Sequence, residues 1–279
     1  MNSEERRQLT ILATKARQGA IIGTYNAKSG HPGGSLSAAD VFTYLYFREM
    51  NVDPENPSWE DRDRFVLSKG HCCPSLYAVL ALKGYFSWDE LSVLRHVGAM
   101  LQGHPDMKGT PGIDMSSGSL GQGISAACGM ALAAKLDNKD YRVYTVLGDG
   151  ECEEGQVWEA AMFAGHKQLD NLTVIVDWNG LQIDGTTAQV GGVEPLDQKF
   201  MSFGFDTVII DGHDFDEIER AFADARRSDK PFAIIMKTIK GKGVSYMEDE
   251  VGWHGKAPNK DEYETAMNEL SERLRELEA

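Results

Sequence analysis

Two apolar segments, each followed by a polar loop rich in glycine, constrain the fold of this chain more than any other feature of its sequence. They are Tyr141–Val146 and Leu172–Val176. Both are too apolar for strands with one face in water, so we predict parallel strands buried on both faces of a sheet. The chain between them is long enough for one helix, as parallel neighbours require. We therefore predict a doubly wound α/β fold, with a mainly parallel sheet and helices on both faces.

The loops that follow these two strands carry oxygen-bearing side chains. Gly148-Asp149-Gly150 follows the first strand, and Asp177-Trp178-Asn179-Gly180 follows the second. Neighbouring parallel strands end at the same edge of a sheet, where open α/β folds bind ligands. A carboxylate, an amide oxygen and a main-chain carbonyl suit a hard cation such as Mg²⁺ or Ca²⁺, with ligand phosphates completing its shell. An ordinary turn is the alternative for Gly-Asp-Gly taken alone.

A helix predicted over Glu151–Gln168 follows the first of these loops directly. The free N–H groups of its first turn would point at the same edge of the sheet, and a phosphate group is favoured at such a helix start. Three further segments extend the predicted sheet to five or six strands: Phe65–Leu67, Thr207–Ile210 and Ala233–Thr238. The last two are predicted to be buried and to flank one helix.

Three histidines lie in glycine-containing loops at the ends of predicted strands or helices. The segments are Ser29-Gly30-His31-Pro32-Gly33-Gly34, Ser68-Lys69-Gly70-His71 and Gly103-His104-Pro105. Glycines leave little bulk around an imidazole, as a site that a ligand must reach requires. An ordinary turn explains any one of these loops, but three of the same kind favour a functional site. His96 and His166 lie within helical patterns and are predicted to be structural.

The composition argues against several classes of function. The 279 residues carry a formal net charge of −15, which disfavours nucleic acid or an anionic membrane surface as a partner. No segment approaches the ~20 consecutive apolar residues of a membrane span. No linker divides the chain, so we predict one domain over residues 1–279. A phosphate-bearing ligand must then be held locally, by a divalent cation, helix N-termini and histidines.

The first residues of the chain are polar and contain no apolar signal region. The four cysteines lack C-x-x-C spacing, so they indicate neither a disulfide framework nor a zinc site. We therefore expect a reduced, cytoplasmic protein.

Seven segments, in order, resemble the N-terminal half of transketolases, which use thiamine diphosphate. They are SGHPGG (29–34), SKGH (68–71), GHP (103–105), SGSLGQG (117–123), GDG (148–150) with Glu154-Gly155, DWNGLQIDG (177–185) and WHGKAP (253–258). The resemblance covers nearly the whole chain. It implies the thiamine-diphosphate-binding fold, and within it the domain that holds the diphosphate.

The resemblance also implies roles for individual residues. Asp149, Asn179 and the Leu181 carbonyl match metal ligands for Mg²⁺ or Ca²⁺. The positions that match cofactor contacts are His71, Gly118, Ser119, Leu120, Gly150, Glu151, Glu154, Asn179, Ile183 and His254. The positions that match catalytic histidines are His31, His71, His104 and His254. Histidines suit this chemistry because alkoxide and hydroxyl protons must move in both halves of the reaction.

The resemblance implies transfer of a two-carbon ketol group from a ketose phosphate to an aldose phosphate, as in the pentose phosphate pathway. The alternatives are a related ketol transferase of the dihydroxyacetone or sulfosugar type, and a non-catalytic subunit that only binds thiamine diphosphate. Transketolases activate the cofactor with a glutamate of a pyrimidine-binding domain, which has no counterpart in these 279 residues. We therefore expect a separately encoded C-terminal subunit that supplies this glutamate.

The resemblance to transketolases also implies how this chain assembles with other chains. Glu154 matches a residue that meets the activating glutamate across the subunit interface, and two chains of this kind would pair across a two-fold axis. We therefore expect a heterotetramer. An exposed apolar patch should mark the interface. Its predicted members are Leu120, Val157, Trp158, Met162 and Phe163.

Overall fold

The central sheet of the protein has five parallel strands. The structure is a computed structural model that describes all 279 residues. The strands of the chain are β1 (Arg64–Leu67), β2 (Val143–Gly148), β3 (Leu172–Trp178), β4 (Leu181–Gln182), β5 (Gly185–Thr186), β6 (Asp206–Asp211) and β7 (Phe232–Lys237). The order across the sheet is β1-β2-β3-β7-β6, and every neighbouring pair is parallel. The predicted parallel sheet is confirmed, and β4 and β5 form a separate antiparallel pair.

Helices cover both faces of the sheet. They are α1 (Ser3–Ala27), α2 (Pro32–Ser37), α3 (Ala39–Tyr44), α4 (Cys73–Lys83), α5 (Gly123–Leu136), α6 (Gly155–His166), α7 (Thr187–Val190), α8 (Leu196–Ser202), α9 (Phe215–Arg227) and α10 (Lys260–Glu278). Alternate residues of β3 enter two different cores: Ile175 packs with α1, α3, α4 and α9, whereas Val174 and Val176 pack with α5, α6 and α8. The doubly wound prediction is confirmed.

Strand β6 was predicted to be buried, and this prediction is wrong. It pairs with β7 alone, at the edge of the sheet, and most of its residues are half-buried or exposed. Ile209 keeps 42% of its surface exposed. The apolar segment Thr207–Ile210 therefore has a neighbouring strand on one side only, and part of its surface stays open to water.

The helix predicted to start at Glu151 begins later. A 3-10 turn covers Gly150–Glu153, Glu154 is extended, and the α-helix starts at Gly155. The cause is the Glu151 side chain, which turns inward and accepts hydrogen bonds from the main-chain nitrogens of Gly148 and Gly121 at 3.0 and 2.9 Å. The N–H groups nearest the edge of the sheet thus belong to a tight turn.

A long loop joins Val93 to Gly123, with no helix or strand between them. Buried Tyr77 of α4 anchors this loop, because its hydroxyl donates to the carbonyls of Gln102 and His104 at 2.9 and 3.1 Å. The anchor brings His104 to the same end of the sheet as the loops after β2 and β3.

The last helix packs within the chain. Helix α10 lies against α1, where Tyr263 stacks on Tyr25 with ring centroids 4.1 Å apart. Ala266 and Leu270 of α10 are buried in the same small core. None of the helices is both long enough and apolar enough to cross a lipid bilayer.

Candidate functional site

The loops at the carboxyl ends of β1, β2, β3 and β7 surround a cavity of about 100 Å³. Main-chain pairing aligns Gly148 with Asp177, and the Asp149 nitrogen donates to the Asp177 carbonyl at 3.3 Å. The lining residues are Gly34, Lys69, His71, Leu120, Gly148, Asp149, Gly150, Glu151, Asn179, Leu181, Gln182, Ile183, Lys240 and His254. All three predicted metal-ligand positions are among them.

The four predicted catalytic histidines form a cluster at the mouth of this cavity. The ring centroid of His31 lies 5.1 Å from that of His71, 5.6 Å from that of His254 and 6.4 Å from that of His104. His71 and His254 are stacked at 5.2 Å. We call these four residues the histidine cluster. Loops from four separate parts of the chain bring it together.

The environment keeps these imidazoles neutral at pH 7. Burial lowers the pKa of His254 to about 3, with a further contribution from the ammonium group of Lys240. Burial and the nearby Arg95 lower the pKa of His31 to about 4. Burial places the pKa of His71 well below its ordinary value and also lowers that of His104. A neutral imidazole can accept a proton from a hydroxyl group, as a general base must.

Asp149 lies buried between two loops. Its Oδ1 accepts from the Gly150 nitrogen at 2.8 Å, and its Oδ2 accepts from the Gly180 nitrogen. Burial, together with the nearby Asp177 carboxylate, raises its pKa to about 6. A divalent cation would offset this cost of burying a second carboxylate.

The oxygen atoms of the predicted metal ligands suit such a cation. The amide oxygen of Asn179 accepts from the Leu181 nitrogen at 3.2 Å, and the Leu181 carbonyl accepts a hydrogen bond from the Lys240 ammonium group at 3.0 Å. That carbonyl therefore points toward a position suited to positive charge. No group of three or more His, Cys, Asp or Glu side chains is arranged to hold a metal, so a cation here would need oxygens from its ligand.

A buried ion pair forms the floor of the cavity and was missed by the sequence analysis. Lys69 and Asp177 bind each other with side chains 2% exposed. Lys69 also donates to the Gly34 carbonyl at 3.2 Å, while Ser37 and Thr238 donate to the Asp177 carboxylate. Burial alone would raise the pKa of Asp177, but Lys69 outweighs it and lowers that pKa. We call these four side chains, of Ser37, Lys69, Asp177 and Thr238, the floor.

A second buried lysine adds to the positive groups that were predicted to hold a phosphate. Lys240 contacts the Leu181 carbonyl and donates to Nδ1 of His254 at 3.0 Å. The sequence analysis named only a divalent cation, helix N-termini and histidines as local positive groups. Two lysines also line this cavity. One signal was available, since Lys240 opens a Lys-Gly-Lys-Gly segment directly after a buried strand.

The residues predicted to contact the cofactor lie in different surroundings, and only some of them line the cavity. The Glu151 carboxylate is occupied by Ser68 and by two main-chain donors, so its side chain fastens loops together. Gly118, Ser119 and Glu154 are exposed and do not line the cavity. Leu120 and Ile183 do line it.

The predicted apolar patch is only partly exposed. Leu120, Met162 and Phe163 are exposed, whereas Val157 is fully buried in the core. Trp158 is also largely covered, because it stacks on Phe203 and packs on Phe200. The prediction was wrong for Val157 and Trp158, which pack in the core that α6 shares with α5 and α8. Ile183, with 68% exposed, adds apolar surface at the cavity.

Comparison with known proteins places this arrangement in a family. A family model described as "Transketolase, thiamine diphosphate binding domain" matches residues 10–273. The 6-deoxy-6-sulfo-D-fructose transketolase subunit of Clostridium sp. (strain MSTE9) is 51% identical over 242 residues, covering 86% of this chain and 88% of that protein. An apulose-4-phosphate transketolase subunit of Phocaeicola vulgatus is 44% identical over 271 residues, covering 97% of this chain and 96% of that protein.

Longer transketolases match over part of their length. The crystal structure of transketolase from Campylobacter jejuni superimposes with a TM-score of 0.90 at 33% identity, covering 97% of this chain and 43% of that one. Mouse transketolase is 44% identical over 262 residues, covering 92% of this chain and 41% of its own length. The chain thus spans about two-fifths of these proteins. It belongs to the transketolase family and carries the family's thiamine diphosphate binding domain.

Proposed function

We propose that this chain is the diphosphate- and metal-holding subunit of a thiamine-diphosphate-dependent transketolase that works with a separate partner subunit. One observation carries the proposal. The oxygens of Asp149, Asn179 and Leu181 lie at one edge of the sheet with two buried lysines, directly beneath four neutral histidines. Groups that could hold a phosphate therefore lie beside a cluster of neutral imidazoles in an otherwise acidic protein.

The cofactor site follows from these groups. Asp149, Asn179 and the Leu181 carbonyl would hold Mg²⁺ or Ca²⁺ against the diphosphate of thiamine diphosphate. Lys240 adds positive charge on the same side of the cavity. Leu120 and Ile183 provide apolar surface for the rings of the cofactor. When bound, thiamine diphosphate supplies the nucleophilic carbon that allows cleavage of the bond next to a ketose carbonyl.

The histidine cluster would handle the sugar. His31 and His254 lie at the mouth of the cavity, where they can bind substrate oxygens. Because Nδ1 of His254 accepts from Lys240, its ring proton lies on Nε2 and can be donated to a substrate oxygen. His104 is the most exposed of the four and is suited to a donor hydroxyl group, while His71 lies deepest, near the cofactor. Neutral imidazoles in this low-dielectric setting can move protons during both cleavage and transfer.

The partner is expected to complete the site. Leu120 and Ile183, which line the cavity, are exposed, as are Met162 and Phe163 of α6, and such apolar surface is typical of an interface. Two relatives are themselves named as transketolase subunits. We propose a partner with the pyrimidine domain and its activating glutamate, in a cytoplasmic heterotetramer of two copies of each chain.

Two classes of donor are the leading candidates. Ketose phosphates are the first, and a 6-deoxy-6-sulfo sugar is the second, because the relative with 51% identity is named for that substrate. A dihydroxyacetone-type transferase and a subunit that binds cofactor without catalysis are further alternatives. The four intact histidines favour catalysis.

Calorimetry with thiamine diphosphate and MgCl₂, in the presence of the partner subunit, tests the cofactor site. Asp149→Ala removes a buried ligand and should abolish measurable binding. Asp61→Ala, at an exposed carboxylate far from the cavity, is the matched control and should bind like the unchanged chain. Unchanged affinity in Asp149→Ala would contradict the metal assignment.

A donor panel tests the reaction. The paired subunits would be supplied with xylulose 5-phosphate, apulose 4-phosphate or 6-deoxy-6-sulfofructose, each with an aldose phosphate acceptor. We expect two-carbon transfer with at least one donor, read by mass spectrometry of the lengthened acceptor. Absence of turnover with every ketose donor, in a complex that binds cofactor, would favour the non-catalytic alternative.

A further inference from the structure

We propose that His213, which lies outside the cavity, is a positioning residue that holds the segment Thr238–Lys240 where its side chains serve the cofactor site. The segment follows β7 and sends the side chains of Thr238 and Lys240 into the site. The functional meaning of this contact rests on the proposed function. The geometry of the segment does not, and can be tested without a cofactor.

Both ring nitrogens of His213 are used within the protein. Nε2 lies 2.9 Å from the main-chain nitrogen of Ile239, and Nδ1 lies 2.7 Å from Oδ2 of Asp40. A main-chain amide can only donate, so Nε2 must accept and the ring proton must lie on Nδ1, which donates it to Asp40. These contacts specify a single neutral tautomer.

Asp40 anchors the other end of this contact. Its carboxylate also binds the guanidinium group of Arg17, and the two side chains are only 6% and 8% exposed. Burial alone would raise the pKa of Asp40, but Arg17 and His213 outweigh it and lower that pKa. The His213 ring is therefore held by a charged acceptor fixed between α1 and α3, and charge-assisted hydrogen bonds of this kind are strong.

The residues on either side of Ile239 reach different parts of the site. Thr238 donates to Oδ1 of Asp177 in the floor. Lys240 donates to the carbonyl of Leu181, a proposed metal ligand, and to Nδ1 of His254. Because Ile239 lies directly between them, a shift of its main chain would disturb both contacts at once.

The carbonyls of this segment are anchored, since that of Ile239 accepts from the Lys242 nitrogen at 3.2 Å and that of Lys240 from the Asp249 nitrogen at 3.0 Å. Strand β7 ends at Lys237. Beyond it, the Thr238 nitrogen donates to the Trp178 carbonyl at 3.1 Å, and the Gly241 nitrogen donates to the Gly33 carbonyl at 2.9 Å. Between these two bonds, the Ile239 amide depends on His213. Loss of that acceptor would leave a partly buried donor unpaired, which favours a shift toward water.

Two substitutions distinguish the effect of the His213 hydrogen bonds from the effect of the space that its side chain fills. His213→Leu removes both hydrogen bonds, whereas His213→Gln can place an amide oxygen near the position of Nε2. We expect the Ile239 amide of His213→Leu to exchange with deuterium at least about tenfold faster, measured by NMR on the isolated chain, because local opening becomes easier. His213→Gln should restore most of the protection. His96→Leu, at an exposed histidine, is the matched control.

Cofactor affinity gives the second measurement, with the partner subunit present. His213→Leu should bind thiamine diphosphate with Mg²⁺ about tenfold or more weakly, the range found for residues that support metal ligands, and His213→Gln should recover most of the affinity. A Thr238→Val substitution should cost less in His213→Leu than in the unchanged chain, because both act on one segment.

Three results would overturn the proposal. One is an imidazole ¹⁵N spectrum of the unchanged chain that places the His213 proton on Nε2. Another is unchanged Ile239 exchange in a folded His213→Leu chain. The third is a His213→Leu chain that loses stability but keeps its cofactor affinity. If the unchanged complex binds no thiamine diphosphate, the proposed function fails, while the exchange and ¹⁵N measurements still decide the role of His213.

Discussion

The histidine cluster and the floor meet at the same cavity, which His71 and His254 of the cluster and Lys69 of the floor line, but they are built in different ways. Each histidine lies on a glycine-containing loop and is partly open to water. The floor joins Ser37, Lys69, Asp177 and Thr238 from four separate segments, and its ion pair is almost fully covered. The cluster can therefore change partners as a substrate comes and goes, whereas the floor holds the loops around it in place.

This difference predicts that the floor, and not the cluster, dominates stability. Lys69→Met leaves the Asp177 carboxylate buried without its cation, and removing one partner of a buried pair costs about 3–5 kcal/mol. We expect a fall of that size in the free energy of unfolding, measured with urea. No substitution in the histidine cluster should cost as much.

A surface pair provides the comparison for this measurement. Lys139 binds Asp61 in water, so Lys139→Met should cause little or no change. If Lys69→Met were as mild as Lys139→Met, the floor would not stabilise the loops and the contrast with the histidine cluster would be lost.

The contrast also explains what the sequence could predict. The cluster was recognised because each Gly-His loop is a local pattern. The pair Lys69–Asp177 was not, although Lys69 lies inside the Ser-Lys-Gly-His segment, because the two residues are 108 positions apart. Only the pairing of β1, β2 and β3 brings them together, and no local pattern specifies which buried carboxylate meets which lysine.

The predictions of the fold divide in the same way, between features that a local pattern specifies and features that depend on tertiary contacts. Long apolar segments predicted the central strands to within a few residues, because burial on both faces leaves a strong signal. The position of β6 at the edge, beyond β7, is a matter of strand order, so its exposed face was missed. The late start of α6 depends on the inward turn of Glu151, which is a tertiary contact.

The second prediction concerns pH. The pKa of His254 is about 3 in the folded chain, below the ordinary 6.5, so the unfolded chain takes up a proton first as the pH falls. Stability should therefore decrease between about pH 6.5 and pH 3. His254→Gln should flatten this slope by less than the ~1.4 kcal/mol per pH unit of one fully coupled proton, since water screens a partly exposed group.

Asp149 should make stability depend on pH in the opposite direction, and the same experiment measures it. Its folded pKa of about 6 lies above the ordinary 3.8, so its contribution favours the folded chain at low pH and is lost as the pH rises from about 4 to 6. Asp149→Asn should therefore steepen the slope that His254→Gln flattens. Urea unfolding at several pH values measures both, and equal slopes in the two variants would contradict these assignments.

The third prediction concerns the influence of Lys240 on the histidine cluster. Burial is the main reason for the low pKa of His254, and the Lys240 ammonium group is the next. Lys240→Met should raise the pKa of His254 while leaving it below 6.5, because burial persists. An NMR titration of the His254 ring measures this change, and Lys242→Met, at a more exposed lysine, is the control. An unchanged titration would show that Lys240 does not influence the pKa of His254.

The smallest effect on stability is expected at Ile183, which belongs to neither region. Its side chain is 68% exposed and lines the cavity, so Ile183→Ala removes almost no buried contact, and the free energy of unfolding should stay within about 0.5 kcal/mol of the unchanged value. An exposed isoleucine at a cavity is useful only if something covers it. We therefore expect the same substitution to weaken thiamine diphosphate binding in the presence of the partner, measured by calorimetry, because the ring system would lose its apolar support. Val190→Ala, at another exposed apolar residue outside the cavity, should change neither quantity. Equal cofactor affinity in Ile183→Ala and Val190→Ala would mean that Ile183 is ordinary surface, and the cavity would then depend on the floor, the metal ligands and the histidine cluster alone.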